Sequence, residues 1–252
     1  MILGKISAVL ILFTLAIFFY FSLIQSGEIT GKMIVAHRGA TDFEKENTIK
    51  AFEKAIKLEA EMVEFDVRKT KDNILIIMHN EEIDGFKINQ LNYKEVEEKT
   101  NFHVPKFDEA LKLLAGKTKI NIELKEVGYE TEVLEKTLKY FSEDEIIISS
   151  KYVSCLIRTK ENYNIKTCLI LGLNKFEKMS LFIGIFPKEK VKNSGADFLA
   201  INQLFANSNF LKNANTYNKQ VFVWDVKTRE SMNRFLKEKN IAGIITKNSV
   251  FF

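Results

Sequence analysis

From residue 33 onward, short apolar runs of five to seven residues alternate with charged stretches of helical period, and this rhythm constrains the fold more than any other feature. The runs are MIVAH (33–37), MVEFDV (62–67), ILIIMH (74–79), KINIELK (119–125), EIIIS (145–149), KTCLIL (166–171), DFLAIN (197–202), QVFVWDV (220–226) and AGIIT (242–246). Helix-period segments fall between most of them, roughly at 47–58, 107–115, 130–141, 152–162, 203–215 and 228–238. Asn47-Thr48 and Thr228 stand where N-cap residues belong. Strands separated by helices of about 10–15 residues make βα units and a parallel sheet. Nine runs are one too many for an eight-stranded barrel, so the run at 74–79 is expected to extend or abut the loop after the second strand. The expected fold is an α/β (β/α)8 TIM barrel, compact beside the typical ~250 residues. Periodicity alone leaves a doubly wound open sheet as the rival.

A different pattern precedes the barrel. Residues 6–27 carry no charge, and Ile6 to Ile24 is nearly all apolar. A helix rising 1.5 Å per residue needs roughly 20 residues to span a ~30 Å hydrocarbon layer. A cleaved signal peptide has an apolar core of only about 7–15 residues and a small-x-small cleavage site; SLIQSG offers none. The sequence therefore predicts a membrane anchor over 1–27, with about 6–24 spanning as a transmembrane helix, and a barrel domain over 28–252. Lys5 and the terminal amine precede the span, so the positive-inside bias makes a single-pass membrane protein with its large domain extracytoplasmic. The net charge is +4, with acidic and basic residues interleaved as on solvated helix faces. No basic stripe with aromatics points to a nucleic-acid partner. Cys155 and Cys168 lack metal-ligand spacing and read as buried free thiols, or as a disulfide if the domain is exported.

Two strands carry chemistry. In MVEFDV, Glu64 and Asp66 alternate with Val63, Phe65 and Val67; in KINIELK, Asn121, Glu123 and Lys125 alternate with Ile120, Ile122 and Leu124. Side chains at i and i+2 share a strand face, so each strand presents ionisable groups together. A sheet with one wet face explains such alternation without any function. In a closed barrel the same groups point inward near the C-terminal strand ends. Carboxylates gathered there repel unless a cation neutralises them, and three oxygen ligands plus waters suit Mg²⁺ or Ca²⁺. Of the three histidines, His37 and His79 end strand runs where barrel active sites lie. The reference pKa of an imidazole is near neutral, which suits the pair to work as base and acid. His103, in NFHVP, reads as a loop residue.

The order IVAHRGA, ENT nine residues after His37, EFD, a strand ending in His79, then NIELK resembles the glycerophosphodiester phosphodiesterase family. The later runs VPKFDEAL, IIISSK, ADFLAIN, VFVWDV and GIIT agree in order, so the resemblance covers about residues 33–247. It implies a metal-dependent hydrolase that converts glycerophosphodiesters to glycerol 3-phosphate and an alcohol. His37 and His79 would be the acid/base pair, and Glu64, Asp66 and Glu123 the ligands of the divalent cation. Arg38 and Lys125 would bind phosphate oxygens, and Trp224 would line the substrate pocket, unless it only packs the core. Glu46 would lie beside the metal site, and Asn47 would cap the first helix or orient the site. Three positions depart from the family pattern: Lys45 replaces proline before ENT, Asn80 replaces aspartate after His79, and Lys247 replaces aspartate in ITK.

Two other functions stay open. One is a lysophospholipase D-type hydrolase acting on membrane lipids, so the substrate is a glycerophosphodiester or a lysophospholipid. The other is a catalytically silent barrel used for binding, against which stands the retention of the whole set His37, His79, Glu64, Asp66 and Glu123. MSLFIGIF (179–186), unusually apolar between strands, is either an ordinary barrel helix or a membrane-facing lip.

Overall fold

The computed structural model describes residues 31–42 and 44–252. The expected anchor over 1–27 lies outside these residues; among the described ones, no helix is long and apolar enough to cross a membrane. Lys32–Phe252 forms one compact unit.

Eight parallel strands close on themselves: β1 (Met33–His37), β2 (Met62–Lys69), then β6 (Lys119–Leu124), β7 (Ile146–Ser150), β8 (Lys166–Ile170), β9 (Phe198–Asn202), β10 (Gln220–Trp224) and β11 (Ile241–Thr246). Between β2 and β6 come three short strands, β3 (Leu75–Ile77), β4 (Glu82–Ile83) and β5 (Phe86–Lys87). β1 pairs with β2 through His37↔Glu64 and with β11 through Ala36↔Thr246. That double pairing is the closure, and it removes the open sheet from consideration. β3 runs antiparallel to β2, with Val67 opposite Ile77, so the ninth apolar run is no barrel strand: it abuts the second strand's loop and turns back along β2.

The helices are α1 (Ile49–Lys57), α2 (Tyr93–Thr100), α3 (Phe107–Leu114), α4 (Glu130–Thr137), α5 (Val153–Asn162), α6 (Lys175–Phe182), α7 (Lys188–Ser194), α8 (Ser208–Thr216) and α9 (Arg229–Leu236). Thr48 and Thr228 cap α1 and α9, each accepting from a backbone N–H three residues on. Outward side chains of the strands, among them Val63, Phe65, Val67, Ile120, Ile122 and Leu124, form one core with the helices. Phe65 lies 5.6 Å from Phe52 of α1 and 6.3 Å from Phe107 of α3, ring centre to ring centre. Burying one such side chain contributes about 1.5–3 kcal/mol. Strand alternation puts Phe198 and Phe222 inside the barrel, edge to face at 5.2 Å. Cys155 and Cys168 are buried free thiols.

Three helices escaped the periodicity. α2 belongs to an excursion between β3 and α3 that includes the β4–β5 hairpin and has its own small core around Ile88, Val96 and Val104. The hairpin turns at Asp84-Gly85, both with positive φ, a tight-turn signal present in the sequence. The segment MSLFIGIF is not one barrel helix: it holds the end of α6 and an irregular stretch, and α7 is the helix that follows before β9.

Gly39 shows why the strand-end motif reads HRG. Its φ is +90°, and a Cβ there would meet Cβ, C and O of Ala51 at 2.7–2.9 Å. The turn after β1 thus lies directly on α1. Gly39→Ala is expected to destabilise the protein by about 2 kcal/mol or more, through positive φ and backbone overlap together. Chemical denaturation, read as the midpoint at unchanged slope, checks it.

Candidate active site

The cleft at the C-terminal ends of the strands is lined by His37, Arg38, Glu64, His79, Asn121, Glu123, Lys125 and Trp224, among others. Strand register assembles it. Glu64 stands opposite Asn121 and Asp66 opposite Glu123 across the β2–β6 pair, so Asp66 and Glu123 share one level and Glu64 lies one inward position below them. Carboxylate oxygens of Glu64, Asp66 and Glu123 come within 4.8 Å of one another. Every residue expected from the sequence to carry the chemistry reaches this region, and His103 stays apart, exposed between Glu97 and Glu109.

Two cations are threaded through the carboxylates. Lys125 Nζ lies 2.9 Å from Asp66 and 2.7 Å from Glu123, while Arg38 Nε lies 3.2 Å from Asp66. Arg38 also donates through Nη1 to Glu46 at 2.7 Å, and Lys247 donates to the other oxygen of Glu46 at 2.7 Å. The lysine in ITK therefore continues a charge chain that starts at Asp66. Asn47 is buried with φ +58° and donates to Asp66 at 2.7 Å. It orients the carboxylate, and Thr48 is the cap.

Burial first, and Asp66 next, raise the Glu64 carboxyl well above the usual range. Burial likewise raises Glu123, against the pull of Lys125. Burial would raise Asp66 too, but Lys125 and Arg38 outweigh it and hold this carboxyl far below its ordinary value. Asp66 is thus the permanent anion of the cluster. Burial holds both imidazoles below their usual range, opposed at His37 mainly by Asp225 and reinforced at His79 by Lys125. All the clustered donors are hard oxygens, and Asn121 Oδ1 is buried among them with no hydrogen-bond partner. A hard divalent cation fits this set.

The two histidines have different surroundings. His37 lies 3.8 Å from Glu64 through Nε2 and 3.8 Å from Asp225 through Nδ1. Asp225 was not among the residues expected at the site. His79 Nδ1 is 3.2 Å from Oδ1 of Asn80, so the amide that replaces aspartate still serves the ring as an acceptor. Lys45, in the proline's place, lays its ammonium 3.4 Å from the centre of the Phe102 ring.

Arg68 is a second residue the sequence reading passed over. It shares the inward face of β2 with Glu64 and Asp66, and it donates to the backbone carbonyl of His79 through Nε (3.1 Å) and Nη2 (2.8 Å). Its Nη1 pairs with Glu126, which accepts from Tyr129 Oη at 2.8 Å. This fork fixes where the His79 ring starts from. Arg68→Met is expected to lower kcat more than it raises KM, with a stability loss of about 1–3 kcal/mol. Equal changes in the two constants would mean Arg68 is only structural.

Trp224 lines the cleft, and its Nε1 is buried without a partner. With Ile170, Leu173, Ala200 and Ile245 it makes one wall apolar.

Residues 37–250 match the Glycerophosphoryl diester phosphodiesterase family. The homologue YhdW of Bacillus subtilis, named for a glycerophosphodiester phosphodiesterase, is 28% identical over 237 residues, which are 84% of this chain and 93% of YhdW. A glycerophosphodiester phosphodiesterase of Caldanaerobacter subterraneus is 31% identical over 140 residues, 47% of this chain and 57% of that protein. The crystal structure of the Thermotoga maritima glycerophosphodiester phosphodiesterase superposes with a TM-score of 0.69 at 25% identity, covering 88% of this chain and 96% of that one. The Oleispira antarctica phosphodiesterase, solved with its product sn-glycerol-3-phosphate, shares the fold at a TM-score of 0.71 and 17% identity, covering 88% and 95%.

Proposed function

The chain belongs to the glycerophosphoryl diester phosphodiesterase family, and from that premise we propose that it hydrolyses glycerophosphodiesters to glycerol 3-phosphate and the free alcohol in a metal-dependent reaction. The observation that carries this reading is the convergence of two imidazoles, three carboxylates and two cations in one cleft.

A phosphodiester is anionic, so its hydrolysis needs positive charge where negative charge builds in the transition state. Glu64, Asp66 and Glu123 are the residues that would hold a divalent cation, Mg²⁺ or Ca²⁺, which when bound supplies part of that charge. Arg38 and Lys125 are placed to receive phosphate oxygens. His37, between two carboxylates, is the better placed imidazole to take a proton from the attacking hydroxyl and keep it. His79, near Lys125, would return a proton to the departing alcohol. Burial lowers the pKa of both rings in the free protein; the negative charge of an arriving diester favours the protonated form. Trp224 and its apolar neighbours would shape the seat of the glycerol or of a larger substituent.

The test is product analysis with glycerophosphoethanolamine and the full chain. Glycerol 3-phosphate plus ethanolamine is expected, and phosphoethanolamine plus glycerol would overturn the assignment of the broken bond. Lysophosphatidylethanolamine is the comparison substrate, because the apolar wall of the cleft also suits a lysophospholipase D-type reaction. Turnover of the lipid alone would replace the first reading, and no turnover of either would favour a silent barrel. The charge-free run 6–27 supports a single-pass membrane placement, and Lys5 before it supports an extracytoplasmic catalytic domain. Protease shaving of intact cells tests that placement, and a fully protected domain would sink it.

A further inference from the structure

The excursion after β8 is built inside out. It leaves the catalytic end of the barrel at Leu173, which lines the cleft, and continues through α6 to Pro187. Of the eight residues of α6 only Leu181 is buried. Phe176 and Phe182 are 82% and 78% exposed, and Met179, Ile183 and Ile185 are also exposed. Leu204, in the next loop on the same rim, is 81% exposed. This arrangement is ordered. Leu181 sits in the main core, Phe186 packs on Phe210 at 5.3 Å and on Tyr217 at 5.5 Å, and Asn209 of α8 donates to the carbonyl of Gly184 at 3.2 Å. Two side chains pin the segment down while its neighbours are held in water.

Single exposed apolar residues are ordinary on a protein surface, but a group of this size on one segment marks an interaction site. Its charge says with what. Lys175, Lys178, Lys188 and Lys192 are exposed and have no acidic partner among the described residues. Glu177 is engaged by Lys190 and by the Gly172 N–H, which leaves Glu189 as the uncommitted acid of α6 and α7. Bulky apolar side chains ringed by lysines complement an anionic lipid interface, where aromatic and aliphatic groups enter the acyl boundary and ammonium groups meet head-group phosphates.

We propose that the rim formed by α6, the turn after it and Leu204 docks on a bilayer containing anionic lipid, so that the cleft beside Leu173 opens toward the lipid surface. The proposal concerns where the site is presented and does not depend on which bond is cut there.

The test uses the full chain with single cysteines, since Cys155 and Cys168 are buried and an introduced thiol takes the label. An environment-sensitive dye is placed by Phe182→Cys, and in a second protein by Lys139→Cys, an exposed position in the turn after α4. Residues 6–27 carry no charge and would bring the chain to lipid whether or not the rim docks, so co-sedimentation alone decides nothing; the position of the dye does. With vesicles of 70% phosphatidylcholine and 30% phosphatidylglycerol, emission from position 182 is expected to shift to the blue while position 139 keeps its spectrum. Phosphatidylcholine alone should give a much smaller shift. Adding Phe176→Ser and Ile183→Ser should reduce the fraction docked at position 182 at least tenfold and leave turnover of soluble glycerophosphoethanolamine unchanged. A spectrum at position 182 that stays water-like on the anionic vesicles overturns the proposal. So does a blue shift that grows with protein concentration without lipid, which would give the face to a second copy of the chain.

Discussion

His37→Ala is expected to lower kcat for glycerophosphoethanolamine by roughly 10²–10⁴-fold, the range over which a positioned acid or base contributes, with little change in KM. The side chain lies 3.8 Å from both Glu64 and Asp225, beyond hydrogen-bond distance. Its removal therefore takes away a proton carrier without breaking a structural network, and the thermal midpoint should move little. Added imidazole should restore part of the rate, because the vacated space lies in the open cleft. His103→Ala is the internal control. That ring is exposed and paired with Glu97 and Glu109, and exposed pairs contribute at most about 1 kcal/mol. Its turnover should match the unmodified protein. A His37→Ala protein retaining more than a tenth of the original kcat would remove His37 from the proton transfer.

What could be read from the sequence follows from which physical rule fixes each residue. Glu64, Asp66, Asn121, Glu123 and Lys125 obey strand alternation, so their common inward face was legible from MVEFDV and KINIELK. His37 was legible as a strand end; His79 lies two residues past the antiparallel β3, so the strand-end rule did not place it. Arg38 and Glu46 sit on the turn and loop after β1, where no periodicity applies, and only the motif resemblance reached them. Asp225 was missed for a related reason: β10 ends at Trp224, so alternation no longer governs the next side chain, which comes to His37 instead of pointing away. Arg68 had no such excuse, since it continues the i, i+2 series of Glu64 and Asp66 and was overlooked at the polar end of its strand. Barrel closure was not decidable from local pattern, because it rests on pairing between residues 33–36 and 243–246. The helix α7, KEKVKNS, buries only Val191 and Ser194, too few for an amphipathic signature, and α6 shows its apolar residues to solvent, which defeats any reading of period as burial.

The carboxylate cluster makes the second large effect one of linkage. Glu64 and Glu123 have raised folded-state values. A group raised on folding binds more protons in the native than in the unfolded state between its two pKa values, so stability falls as pH rises across that window. The lowered values of His37 and His79 act in the opposite sense, but only as pH falls below about 6.5, the imidazole reference. Asp66, held low, adds stability that is lost only in strong acid. The two glutamates therefore contribute a loss of thermal stability with rising pH in EDTA, beginning above the ordinary glutamate value and complete at their raised folded values. A divalent cation reverses that slope, because it takes up the charge that the glutamates expose when their protons leave. Its apparent affinity should rise with pH, and at a hundred times its dissociation constant it should stabilise the fold by about 2.7 kcal/mol. Glu64→Gln should reduce the pH slope in EDTA to the share of Glu123 and remove most of the cation-dependent stabilisation. Melting curves from pH 5 to 9, with EDTA and with millimolar Mg²⁺ or Ca²⁺, measure all three quantities without recourse to activity. A cation that leaves the EDTA curve unmoved at every pH would mean that Lys125 and Arg38 neutralise the cluster on their own and that the carboxylates do not hold the ion.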